Sequence, residues 1–198
     1  MSKSHLSLLF IGALFLGYRI VACLFGEMPV NSAPIAALFF CGVLVAGKSG
    51  AIITSLLWLA TYPLLSLLQG YPIGMDFLAS LFGFGLIVFL AFQVQRPAGQ
   101  TQSAAVLIGG SLLSALGFYF ITNTFSWLGM PLYSKNLEGF VQAQWAGHPS
   151  FLQPTWVFLR NSLIGNGALA ILLVVSLWKL NFGMKSAPIS ATHQNLLS

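Results

Sequence analysis

Charge is what this chain has least of. Asp, Glu, Lys and Arg make up 6% of its 198 residues, against about 25% in an ordinary soluble domain. The acids number three, Glu27, Asp76 and Glu138. That is too few for proton-coupled pumping or for paired acid–base catalysis. Cysteine is almost as scarce. Cys23 and Cys41 both lie inside apolar segments, so they form neither a disulfide framework nor a zinc site and read as small apolar filler. There is no Walker sequence, no dinucleotide fingerprint and no His-rich metal motif. Gly47-Lys48-Ser49-Gly50 has the form of the intramembrane serine-protease motif. It falls in a predicted cytoplasmic loop, with His148 expected on the opposite side, so no nucleophile–base pair can form. These absences lead us to expect no enzyme, no resident cofactor and no metal.

The eight basic residues give a formal net charge of +5. They stand singly, with no cluster or stripe, which excludes nucleic-acid binding and marks them as topology determinants. Apolar sequence is abundant. Hydrophobic residues make up 57% of the chain and mean hydropathy is +0.87. The apolar runs are continuous, not alternating as in barrel strands, so the expected fold is an all-α membrane protein with a single bundle.

Crossing ~30 Å of hydrocarbon takes about 20 helical residues at 1.5 Å each. Six candidate spans follow, at about 6–25, 31–46, 51–68, 75–92, 104–122 and 156–178. The first is too long for a signal-peptide core and no small-x-small cleavage site closes it, so it is expected to be retained. The second is short, with a purely apolar part of only 34–46, and a re-entrant segment is the alternative. Charge decides between them. With six spans, Lys3, Lys48, Arg96, Lys179 and Lys185 share one face with no acid. The other face holds Glu27, Asp76 and Glu138, with Lys135 and, near span ends, Arg19 and Arg160. With five spans the bias vanishes. The positive-inside rule therefore predicts six spans with the N- and C-termini both cytoplasmic. The six-helix domain covers 1–180, and a polar tail, 181–198, is expected to be disordered in the cytoplasm. The outer segment 123–154 is long for a link in a compact bundle. It reads as a lid or binding loop, or as an aromatic anchor at the headgroups, and 137–145 can form a short interfacial helix.

Few residues can carry chemistry. Arg19 lies about two turns before the end of the first span. It either snorkels to the outer interface or forms the cationic floor of an outward cavity, paired with Glu27, Asp76 or an anionic ligand group. Asn31, Ser32 and Pro34 read as a helix start whose positive dipole end faces the outer vestibule. Residues 118–127 end span five with aromatic rings around Asn123 and close on Trp127. That pattern suits ligand contact or an interfacial belt. Arg160 and Asn166, at i and i+6, lie on different faces of the last span. Asn166 should face the bundle, either as interhelical glue or as part of a site. The pairs Ala13/Gly17, Ala79/Gly83 and Gly110/Ser114 permit close helix approach; on an outward face such a pair would serve as a docking surface.

Three blocks carry a resemblance. Asn31-Ser32-Ala33-Pro34-Ile35-Ala36-Ala37, the aromatic stretch 118–127, and 133–139 followed by 158–165 resemble, in order and spacing, an uncharacterised family of small bacterial six-span membrane proteins. The pattern departs in two places. Ser66-Leu67-Leu68-Gln69 lacks the acid often found near the end of span three. Asn166 stands where an Asp is common, keeping the shape and losing the charge. That family is similar at fold level to the substrate-binding S components of energy-coupling-factor vitamin transporters. The similarity implies location in the bacterial inner membrane, a ligand site near the outer face under loops, and docking through small residues of the first span, here Ala13 and Gly17. It also implies a membrane coupling subunit and an ATPase as partners.

The expected function is thus a substrate-binding membrane subunit for uptake of a small vitamin- or cofactor-like molecule. The expected ligand residues are Arg19, Asn31, Asp76, Asn123, Trp127, Arg160 and Asn166. The alternative is a non-transporting structural or assembly subunit of a larger membrane complex. The two differ in one observable: a vestibule several residues deep favours the first, and one filled by side chains favours the second.

Overall fold

The computed structural model describes residues 3–24, 35–69, 73–96, 102–150 and 153–179, and among them the regular elements are helices. In chain order these are α1 (Lys3–Leu24), α2 (Ile35–Gln69), α3 (Met75–Val94), α4 (Ala104–Gly129), α5 (Leu137–Gln144) and α6 (Thr155–Lys179). α2, α3, α4 and α6 are long and apolar enough to cross a membrane, whereas the described apolar stretch of α1, Leu9–Val21, is shorter. Large apolar side chains on the outer faces of α3, α4 and α6, among them Phe82, Phe89, Leu113, Phe120, Ile164 and Ile171, are exposed. A lipid environment makes such a surface favourable and water does not. The protein is therefore a membrane protein, and its class is all-α.

α2 has 35 residues and would reach about 52 Å if straight. It is not straight. Gly47 takes φ 56° and ψ −133°, a left-handed conformation that a Cβ would strain, and the chain reverses there. Phe39 lies before the turn and Trp58 after it, yet both meet Phe84, with ring centroids 4.3 and 4.8 Å apart. On a straight helix they would lie about 28 Å apart. The two arms, 35–46 and 48–69, therefore run antiparallel. Glycine permits their contact, since a Cβ on Gly50 would fall 1.9 Å from the Gly42 carbonyl oxygen. α3 closes the turn from below, where Gln95 Nε2 donates to the Val43 carbonyl at 3.3 Å.

The arm 35–46 is the axis of the molecule. Residues 36–44 are buried without a break, as expected of a helix that is apolar all round. Phe15 of α1 meets Phe39 edge-on at 6.1 Å. Phe40 lies so close to α4 that a Cβ on Gly110 would strike its ring at 2.0 Å. From α6, Asn166 accepts the Ala37 amide. Around this axis α1 packs on α2, α3 lies between α2 and α4, and α4 lies between α3 and α6.

Of the three small-residue pairs, Ala79/Gly83 and Gly110/Ser114 face inward. Gly83 receives the Phe118 ring and Gly110 receives Phe40. Ala13 and Gly17 are exposed on the outer face of α1. Residues 31–34, Glu27, Lys185 and the tail 181–198 lie outside the described residues.

Candidate ligand cavity

One end of the bundle is hollow. Both arms of α2 reach the gap, and α1, α3, α4 and α6 bring residues to it. The result is a cavity of about 420 Å³, within the range of small-molecule sites. Gly47, Lys48, Gln95 and Arg96 belong to the opposite end, where α3 meets the turn of α2.

Arg19 enters from α1. Its Nε donates to Thr61 Oγ1 at 2.9 Å. Thr61 has already spent its own proton on the Leu57 carbonyl at 2.7 Å, so it meets the guanidinium as an acceptor. That bond directs the cation along the wall of the cavity. Asp76 stands in the first turn of α3, where a carboxylate complements the positive end of the helix dipole. It is exposed, whereas Arg19 is half-buried, so the positive charge lies deeper than the negative one.

The floor is made where the axial arm begins. Ile35 and Ala36 line it, beside Asn166 and Ser162. Asn166 Oδ1 accepts the Ala37 N–H at 2.7 Å, and its Nδ2 donates to the Ser162 carbonyl at 2.9 Å and to Ser162 Oγ at 3.2 Å. An early amide of α2 lacks an intrahelical carbonyl partner, and this side chain supplies the acceptor from a neighbouring helix. The amide at 166 thus does the capping work that a carboxylate could do, without a negative charge at the floor.

The rest of the wall is aromatic. Trp58 and Tyr62 come from α2, Phe84 from α3, Phe118 and Tyr119 from α4, and Phe158 from α6. Trp58 sits edge-on to Phe84 at 4.8 Å, and Phe84 lies 5.0 Å from Phe118. Asn123 completes the α4 side, its Nδ2 turned back to the Tyr119 carbonyl at 2.9 Å. Sequence reasoning missed Trp58, Tyr62 and Phe84. The one available signal was the i, i+4 spacing of Trp58 and Tyr62, two aromatics on one face of a span otherwise rich in leucine and alanine.

Of the residues expected at the site, Arg19, Asp76, Asn123 and Asn166 line this one cavity. Asn31 lies outside the described residues. Two others stand elsewhere. Trp127 is not in the lining. Its Nε1 donates to the Ser134 carbonyl at 2.9 Å, its ring meets Phe140 edge-on at 5.3 Å, and Lys135 Nζ sits 6.0 Å from its centroid. It fastens the segment that follows to the end of α4. Arg160 is exposed. It bonds its neighbour Asn161 and lies 5.4 Å over the Trp156 ring, on a face of α6 turned away from the cavity.

The segment 123–154, expected as a lid, contributes only Asn123 to the lining. Beyond it comes α5, an amphipathic helix capped by Asn136, whose side chain accepts the Gly139 N–H at 2.8 Å. α5 packs beside α4 and α6. The Tyr119 hydroxyl donates to the Gln144 carbonyl, Gln144 Nε2 donates to Thr124 Oγ1 at 3.1 Å, and Trp145 stacks on Trp156 at 6.4 Å. Lys135 Nζ donates to the Met130 carbonyl at 2.8 Å and to that of Trp127, satisfying the end of α4. Burial pushes the Tyr133 phenol up from its usual range, opposed by a hydrogen bond from the His148 backbone. The described part of the segment packs on the flank of α4 and α6.

Cys41 is buried in the axial arm with its Sγ 3.7 Å from Ser111 Oγ. Because the Ser111 proton goes to the Leu107 carbonyl, the thiol is the donor and its role is packing. No group of three or more His, Cys, Asp or Glu that could hold a metal occurs among the described residues. A family model described as a family of unknown function, DUF6580, matches residues 1–186. No curated protein and no solved structure matches the chain.

Proposed function

We propose that this chain, which belongs to the family of unknown function DUF6580, is the substrate-binding membrane subunit of an uptake system for a small vitamin- or cofactor-like molecule. The observation that carries the reading is the cavity: about 420 Å³, open at one end of the bundle, mostly apolar, with one half-buried cation and two amides on its wall. Ligand sites have this composition, an apolar body with a few placed polar groups. A purely structural subunit would have that volume filled by side chains.

Six spans follow if the arms of α2 are counted separately and α1 is counted with them. The cavity end then carries Asp76, while Lys48 and Arg96 sit at the other, so the positive-inside rule turns the cavity outward and leaves both termini cytoplasmic. In a bacterium that membrane is the inner membrane. No nucleotide-binding sequence is present in the chain, so accumulation of ligand would require a coupling subunit and an ATPase. The exposed Ala13 and Gly17 on α1 offer a close-packing face for the membrane partner. The reading follows the S-component-like role that the sequence resemblance implies.

Native mass spectrometry of the gently extracted protein tests the reading. A stoichiometric adduct of cofactor size is expected, lost or diminished when Arg19 or Asn123 is replaced by alanine. A stable protein partner with no adduct would move the assignment to the structural subunit.

A further inference from the structure

We propose that the outward face of α6 holds an anionic phospholipid, its phosphate seated against Arg160 beside Trp156 and Trp145 and its acyl chains laid along the apolar stripe that continues from Arg160. The inference uses only the membrane character of the chain and is independent of the binding-subunit reading.

The face is defined by burial along the helix. Trp156, Arg160, Ile164, Ala168, Ile171 and Val175 are exposed, and at about 3.6 residues per turn they share one side of α6. Beyond Arg160 that side is apolar as far as Val175, a rise of about 22 Å, which exceeds one leaflet's half of a ~30 Å hydrocarbon layer. The belt does not end with α6. Phe82 and Phe89 of α3 and Leu113 and Phe120 of α4 are exposed as well, so the apolar surface extends over three helices. Lipid chains cover such a surface; a single partner helix covers one strip of it. The stripe on α6 stops at Arg160 and Trp156. A cation and an indole at the end of a lipid-facing stripe mark the level where hydrocarbon gives way to headgroups.

That end is held in place by the segment before it. The Trp156 N–H donates to the Trp145 carbonyl at 2.9 Å, and the two indoles stack with centroids 6.4 Å apart. Trp145 is 62% exposed, and Leu137 and Val141 precede it on α5 at i−8 and i−4, also exposed, the apolar side of an interfacial helix. Arg160 Cζ lies 5.4 Å over the Trp156 ring. The side chain therefore reaches back toward the N-terminus of α6, in the direction helix side chains lean and away from the hydrocarbon. Its Nε and Nη2 both donate to Asn161 Oδ1, each at 3.3 Å. The indole thus takes one face of the guanidinium and Asn161 takes one edge. Among the described residues no other acceptor takes the edge formed by Nη1 and Nη2. That edge is a fork of parallel N–H groups, which fits two phosphate oxygens. Glu138 stands in the first turn of α5, about 10 Å along that helix from Trp145, so the charge beside the stacked rings is positive.

The test is a lipid titration of the full-length protein in a neutral detergent, read by native mass spectrometry, with phosphatidylglycerol and phosphatidylcholine of identical acyl chains. Phosphatidylglycerol is expected to bind about fivefold more tightly, because the choline headgroup brings its own cation. Arg160→Gln should remove that preference, and Arg160→Lys, which keeps the charge and loses the fork, should keep part of it. Lys48→Gln removes the same charge at the other end of the bundle and should leave the preference unchanged. An excess of inorganic phosphate, added as its ammonium salt, should not displace the lipid. Equal binding of the two lipids, a preference that survives Arg160→Gln, or one that falls as far with Lys48→Gln overturns the site. Displacement by inorganic phosphate would make it a site for a soluble anion, and a dimer broken by Arg160→Gln would give the face to a second copy; either result overturns the lipid assignment. The cavity is read separately, from the cofactor-sized adduct, whose mass differs from that of a phospholipid.

Discussion

Asn166 is one residue on which fold and cavity meet. It is 1% exposed, accepts the Ala37 amide and donates to Ser162. Asn166→Leu leaves the Ala37 N–H without its acceptor in a buried setting, a loss of about 1–3 kcal/mol. We expect a clear drop in thermal midpoint in detergent. Asn166→Asp keeps an acceptor in the same place and should be milder. A midpoint unchanged by the leucine would show that the contact contributes nothing. Tyr119 is a second such residue, lining the cavity and holding the last carbonyl of α5. Tyr119→Phe removes one hydrogen bond, about 1 kcal/mol, and should raise amide hydrogen exchange in 137–145 with little change elsewhere. The sequence pointed to Asn166 as an amide too costly to face lipid, but not to its partner. Ala37 lies 129 positions away, and nothing in the spacing of an apolar segment indicates which amide will lack an acceptor.

At the scale of the element, the hairpin of α2 decides the architecture. Its arms touch through Gly42 and Gly50, and a Cβ on Gly50 would meet the Gly42 backbone. Neither side of that contact is the flexible end of a side chain, so relief requires separating the arms. Gly50→Ala should destabilise by roughly 1–3 kcal/mol or more, read as loss of monodisperse protein on gel filtration or a lowered melting midpoint. Gly17 is the internal contrast. A Cβ there meets nothing within 4 Å, so Gly17→Ala should be neutral or stabilising by up to about 1 kcal/mol through helix propensity. If α1 docks a partner through that face, Gly17→Leu keeps the fold of the isolated protein and impairs uptake in cells. Normal uptake with the leucine would remove Ala13 and Gly17 from the partner surface. The glycine of the loop 47–50 was visible in the sequence as a link between two apolar runs. That the arms would touch, with the shorter one enclosed on all sides, was not. The burial of 36–44 depends on four other helices, and an apolar run reads alike whether it faces lipid or protein.

For the whole molecule, orientation is the property with most consequences. The cavity end carries Asp76 and the opposite end Lys48 and Arg96. Single cysteines introduced at Lys48 or Arg96, in a background with Cys23 and Cys41 replaced by alanine, should resist a membrane-impermeant maleimide in intact cells. Cysteines at Asp76 or Glu138 should react. The reverse pattern would put the cavity on the cytoplasmic side and remove the uptake reading, and mixed labelling at Lys48 and Arg96 would reject the six-span count.

Composition and charge, read along the chain, were enough to determine that this is a helical membrane protein and that Lys48 and Arg96 lie at the end opposite Asp76. The first follows from the cost of placing polar groups in hydrocarbon, which every residue bears locally. They also marked Arg19, Asp76, Asn123 and Asn166, because polar residues are conspicuous in apolar sequence. Only the tertiary structure decided that these four line one cavity, and that Trp127 and Arg160 stand outside its lining. It also decided that Trp58, Tyr62 and Phe84 form the wall. Trp127 and Trp58 are chemically the same side chain. What separates them is the rotation of one helix against its neighbours, which is set by glycine contacts and ring packing distributed over five helices.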